Sequence, residues 1–137
     1  LSFHSIKKPM KFTLSNQLKL TMTIPETVTW KGKSGKIYSY SVYPKSTKFP
    51  EDYDGNYIFA KKLPGLWLAV YIGQGDLKTR TQDETHLDCA NQKGFTHYHV
   101  KVNTSETDRL NEEEDMIKGN PECLYTNGGC NKTSTGQ

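Results

Sequence analysis

The sequence predicts an α/β chain of the α+β kind: a small three-stranded antiparallel sheet flanked by helices, with an N-terminal β-hairpin extension. Three observations lead there. Two apolar runs of strand length, residues 56–61 and 66–72, are joined by Lys62-Leu63-Pro64-Gly65, and Pro-Gly is a turn pair. Two stretches at helical spacing follow, one behind Asp76 and one behind Asn103. Upstream, Gly32-Lys33-Ser34-Gly35 separates Val28-Thr29-Trp30 from Ile37 to Tyr43, a good hairpin signal.

At 137 residues the chain has room for one domain with an appended element. The composition divides it into a basic extension over residues 1–50, a domain over 51–124 and a polar, flexible tail over 125–137. Hydrophobic residues make up only 34%, so the core is small and the surface polar. Residues 1–50 carry nine Lys and one acid, Glu26, for a net +8, whereas the remainder carries 9 basic and 14 acidic residues, for −5. Such an arm beside an acidic body suits a polyanion; charge alone equally allows a solvated, lysine-rich extension. The first 21 residues show no periodicity, and the start at Leu1 reads as a fragment or a processed end.

There is no apolar run of about 20 residues, so no membrane helix and no membrane partner are expected. Nor is a charged-then-apolar leader visible, which makes reduced thiols in a cytoplasmic protein the expectation. Cys123 and Cys130 with His97 and His99 could be assembled into a zinc site, but the spacing is not that of a standard finger. Asn103-Thr104-Ser105 and Asn131-Lys132-Thr133 match glycosylation sequons.

Within the hairpin, Lys31, Lys33 and Lys36 crowd the turn, where they can contact nucleic-acid phosphate. Trp30 and the nearby tyrosines either pack on the main domain or stack on unpaired bases, and packing is expected for most of them. Pro44 to Asp54 reads as a linker. Tyr71 closes the second central strand, and Gly73 and Gly75 are expected to break it into a sharp turn. Asp76 then caps a helix that carries Arg80 in its first turn and runs to Gly94. Phe95 to Val102 is a third strand, with Phe95, His97 and His99 on one face and Tyr98 and Val100 on the other. Asn103 with Glu106 forms a capping box for the last helix, which stops at Gly119-Asn120-Pro121.

Arginine usage singles out two positions. Sixteen of 18 basic residues are Lys, and only Arg80 and Arg109 carry the planar, bidentate guanidinium suited to phosphate or carboxylate. On the last helix Leu110, Met116 and Ile117 form an apolar arc, and at about 100° per residue Glu113 falls inside it. Glu112 and Glu114 fall on its flanks, Asp115 on the far side. A carboxylate in an apolar stripe is costly unless paired or metal-bound; the residues alone leave open a metal ion or a pairing with Arg109 one turn earlier.

Gly55-Asn56-Tyr57, then Tyr71-Ile72-Gly73, Leu77 and Arg80, and finally Arg109 to Ile117 resemble the GIY-YIG nuclease family over roughly residues 55–121. The resemblance implies an endonuclease, a phosphodiester hydrolase acting on DNA with one divalent ion, Mg²⁺ or Mn²⁺, held by Glu113. It further implies that Arg80 clamps the scissile phosphate, that Tyr57 is a general base or a water-orienting phenol, and that Tyr71 organises phosphate and water. An ordinary phenol, with a pKa of about 10, is a poor base at neutral pH, so nearby cations would have to lower it. His86 stands where it could relay the proton, and Arg109 has a supporting place; His97 and His99 are weaker candidates for phosphate contact. The chain departs from the family in a longer Tyr57–Tyr71 gap, a shorter Tyr71–Arg80 gap and Gln74 in place of a Lys. The closing Asn, three residues after Pro121, is Leu124 here, with Asn127 as the candidate replacement. The competing expectation is a non-catalytic nucleic-acid-binding module on the same fold.

Overall fold

The computed structural model describes residues 24–136; the aperiodic stretch over 1–21 and the start at Leu1 lie outside them. Five strands and three helices follow in the order β1 (Thr27–Lys31), β2 (Ile37–Pro44), β3 (Asp54–Leu63), β4 (Leu66–Asp76), α1 (Leu77–Thr81), α2 (Glu84–Gln92), β5 (His97–Val102) and α3 (Glu106–Gly119). Short 3₁₀ turns at Pro121–Cys123 and Tyr125–Asn127 close the chain. The class is α+β, as the periodicities predict.

The sheet is larger than three strands. All five form one antiparallel sheet in the order β1-β2-β5-β3-β4. The hairpin β1–β2 is therefore part of the sheet and not a separate extension, and the division after residue 50 is no break in it. Residues 41–44 of β2 pair with residues 97–100 of β5, which would otherwise present a row of unpaired N–H and C=O groups.

Each face of the sheet carries its own core. On one face Tyr57, Phe59, Tyr71 and Tyr98 pack with Leu77 of α1 and Ala90 of α2. On the other, Trp30, Tyr38, Tyr40, Ile58 and Ile72 pack with Met116 and Ile117 of α3. The period of two sends alternate residues of β3 to opposite layers. Burying side chains of this size contributes about 1.5–3 kcal/mol apiece. The rings of the hairpin are core residues, as expected, and the lysines at its turn are exposed.

Capping follows the sequence in part. The Asp76 side chain accepts from the Thr79 N–H and starts α1. The expected single helix is broken at Gln82-Asp83, because the Asp83 side chain caps a second helix by accepting from His86 N–H. Gly94, at φ +83°, follows α2 as expected. The cap of α3 is Ser105, not Asn103: Ser105 Oγ accepts from Asp108 N–H, while Asn103 Oδ1 accepts from Ser105 N–H.

Cys130 and Asn131 tie the tail to the rest of the fold. Cys89 and Cys130 form a disulfide, which corrects the expectation of reduced thiols; Cys123 is free and buried. Cys130 N–H donates to the Val70 carbonyl, and the buried Asn131 amide takes both backbone groups of Ile72. The sequon at Asn131 is thereby enclosed. Among the described residues no helix is long and apolar enough to cross a membrane.

Candidate functional site

Tyr57 and Tyr71 project from the same face. In the β3–β4 pair Tyr57 stands opposite Gly73 and Phe59 opposite Tyr71, so the two tyrosines are diagonal neighbours with ring centroids 6.2 Å apart. Gly73 and Gly75 do not break the strand; β4 runs on through both to Asp76. Their function is to leave space. A side-chain carbon at Gly73 would overlap the Tyr57 hydroxyl. At Gly75, where φ is +132°, it would come within 2.9 Å of Arg80 Nε, so the Arg80 side chain folds over the end of the strand.

His86 completes this side of the site. Asp83 starts α2 so that His86, in its first turn, stacks on Tyr71, with centroids 4.4 Å apart and planes at 24°. Burial, then Arg80 and Lys132, lower the imidazole below its ordinary 6.5, against the opposing pull of Asp83. His86 is therefore neutral at physiological pH. Its Nδ1 is buried without a hydrogen bond, the nearest charged oxygen being Asp83 Oδ1 at 3.6 Å.

Both phenols are less acidic than free tyrosine. Burial, then Tyr71 and Glu113, push Tyr57 well above 10, while Arg80 pulls it down without prevailing. Burial and Glu113 raise Tyr71 to about 12, again against Arg80. The charges of Glu113 and Arg80 thus act on both phenols in opposite directions. The Tyr57 hydroxyl itself is buried and has no hydrogen-bond partner of good geometry. A cation-lowered phenol, the condition for Tyr57 as a base, is not what these surroundings produce.

Glu113 is 3% exposed, inside the apolar arc of α3 as the periodicity predicts. Gly136 lies against its carboxylate so closely that a side-chain carbon there would overlap it. Arg109 does not pair with Glu113. Its Nε donates to Gln74 Oε1 at 2.9 Å, its Nη1 donates to the Asn103 carbonyl at 3.0 Å, and Asp54 lies 4.0 Å away. Glu112 is no bystander on a flank: it is 4% exposed, accepting from Tyr40 at 2.6 Å and Lys101 at 2.8 Å. Glu114 pairs with Lys118 on the surface, and Asp115 accepts from Ser34 and Tyr38, docking the hairpin turn on α3.

The remaining candidates lie elsewhere. His97 and His99 are on the α3 face, against Trp67, and His99 Nδ1 accepts from Trp30 Nε1 at 2.9 Å. His99 is fully buried and reaches no phosphate. Cys130 is consumed by the disulfide, and among the described residues no three of His, Cys, Asp and Glu come together, so the zinc assembly does not form. Asn127 only donates to the Pro121 carbonyl at the surface. Asn131, by contrast, is buried, and its amide brackets the Ile72 backbone next to Tyr71. No sequence signal marked it, because its partner lies 59 residues away.

Glu113 offers one buried carboxylate, and a hard divalent ion held by a single carboxylate takes its other positions from water and phosphate. Comparison of the chain with protein-family models, curated proteins and solved structures finds no match.

Proposed function

We propose that this protein is a metal-dependent endonuclease of the GIY-YIG kind, hydrolysing DNA phosphodiester bonds. The observation that carries the reading is convergence at one strand end: Tyr57 and Tyr71 are diagonal neighbours on one sheet face, His86 stacks on Tyr71, and the Arg80 side chain lies against Gly75.

Hydrolysis requires a deprotonated water, countercharge for the non-bridging oxygens and a stabilised leaving oxygen. Arg80, at the exposed rim, supplies a fixed positive charge for the phosphate. His86 is the base: it is neutral and braced against Tyr71. Tyr57 and Tyr71 keep their protons and donate hydrogen bonds that orient water and phosphate. Glu113 would hold Mg²⁺ or Mn²⁺, which supplies Lewis-acid countercharge to the phosphate and leaving oxygen when bound. Arg109 and Asn131 are supports, fixing Gln74 and Ile72 on the strand that carries Tyr71. Lys31, Lys33 and Lys36 extend a basic surface toward the DNA backbone.

The test is supercoiled plasmid incubated with Mg²⁺ or Mn²⁺, with and without chelator. Nicked or linear product that disappears with chelator supports the reading. One observation favours the alternative, a module that binds nucleic acid without cutting it: Gly136 packs on the Glu113 carboxylate. DNA binding with no metal-dependent cleavage across varied substrates would establish that alternative.

A further inference from the structure

The site is closed from behind by a ring of contacts that passes through the disulfide. Tyr71 lies between Val70 and Ile72 on β4. The Val70 carbonyl accepts from Cys130 N–H at 2.9 Å, and the Ile72 backbone is bracketed by the Asn131 amide at 2.8 and 2.9 Å. Cys130 is bonded to Cys89. Cys89 lies on α2, three residues after His86, and His86 returns to Tyr71 by stacking on its ring. Covalent chain, disulfide, hydrogen bonds and ring contact thus form a closed circuit. Apart from the disulfide, α2 is held by Ala90, its one fully buried residue, and by the half-buried Leu87 on the same core, and it follows a break in the helix.

We infer that the Cys89–Cys130 disulfide is a positioning element that holds His86 against Tyr71, so that the site is competent only when the pair is oxidised. The inference rests on the reading of His86 as the base. In the reduced protein a dithiol gives two electrons and two protons to the sulfurs. The Cys89–Cys130 bond breaks, two thiols form and the reductant closes to its own disulfide. α2 then keeps the Ala90 and Leu87 contacts but loses its tether to β4, and His86 leaves the ring stack. Cys123 cannot substitute in the pair: it is fully buried, and burial pushes its thiol up to about 12.

The experiment reads position and activity separately. Wild type, oxidised or reduced with dithiothreitol, is compared with the Cys89→Ser/Cys130→Ser variant, with thiol state checked by alkylation and mass spectrometry. The structural readout is the NMR shift of the His86 ring protons, displaced by the Tyr71 ring current in the oxidised protein and identified by loss of the signal in His86→Gln. On reduction the shift should move toward that of a free histidine while far-UV circular dichroism is retained. The turnover rate should fall at least tenfold with little change in DNA affinity, and reoxidation should restore both. The double variant should behave as reduced protein whether or not dithiothreitol is present. An unchanged His86 shift in verified reduced protein overturns the inference, as does global unfolding on reduction, which would make the disulfide a general staple. If the shift moves but no form cleaves DNA, the positioning stands and the nuclease reading fails.

Discussion

The Tyr57 hydroxyl lies over Gly73, in the space a side chain there would fill. Gly73→Ala must displace either the Tyr57 ring or strand β4. Overpacking of this kind costs about 1–3 kcal/mol. The variant should melt at lower temperature and lose most plasmid cleavage, while Gly65→Ala, in a turn with open space around it but also at positive φ, should lose stability without losing activity per folded molecule.

Glu113→Gln keeps the shape of the side chain and removes the charge a cation needs. It should abolish metal-dependent cleavage and leave DNA binding measured in chelator unchanged or stronger. Glu114→Gln is the proper control, since its carboxylate only pairs with Lys118, and it should cleave normally. A Glu114→Gln variant as inactive as Glu113→Gln would mean the ligand has been misassigned.

Glu112→Gln is a stability experiment, not a second control. The substitution replaces a buried, charged acceptor of Tyr40 and Lys101 with a neutral amide and should cost about 1–3 kcal/mol. Chemical denaturation should show the loss, with turnover of the folded fraction close to wild type.

Acid should destabilise the fold through His99. Burial, chiefly, lowers its pKa from 6.5 to about 3, so the folded protein holds it neutral while the unfolded chain protonates below 6.5. Its contribution is intact above about 6.5 and declines as pH falls toward 3, with a slope of up to about 1.4 kcal/mol per pH unit. His99→Gln should flatten the stability profile across that window in urea melts. Cleavage has a separate dependence: with the His86 pKa also lowered, activity should persist below pH 6.5 before His86 protonates and the rate falls.

Replacing Lys31, Lys33 and Lys36 together with Ala should weaken DNA binding and flatten its dependence on salt. The lysine side chains are exposed, and the turn is tied to Asp115 by Ser34, Tyr38 and the Lys33 backbone N–H, all of which the substitutions keep, so thermal stability should hardly change. An unchanged salt slope would remove the hairpin from the DNA path.

The readable parts of this molecule are those fixed by local chemistry. Alternation placed β3, β4 and most of β5; Asp76 and Gly94 marked helix boundaries; and helical spacing put Glu113 in the buried arc. Asp83, which divides what the spacing presents as a single helix, was not read as a cap. What escaped notice is non-local. No residue of β2 announces that it pairs with β5, because any extended segment with half-buried tyrosines would satisfy the same edge. The Cys89–Cys130 bond spans 41 residues, and an odd cysteine count gives no pairing. Glu112 lay on a flank by periodicity alone; Tyr40 and Lys101, from distant strands, enclose it. The glycines were recognised by type but their use differed: space for two side chains rather than a turn.

The segment after α3 also determines how the sheet can associate. β4 is a border strand, yet in its middle, from Ala69 to Ile72, outward groups are already taken: Ala69 N–H by the Glu122 carboxylate, the Val70 carbonyl by Cys130 N–H, and both Ile72 groups by Asn131. An incoming strand from another molecule finds no template there. Among the described residues, β1 is the other border, and Lys31 at its end carries a charge that opposes stacking of like chains. Opening the closing segment would expose the β4 template, and self-association by strand addition would follow.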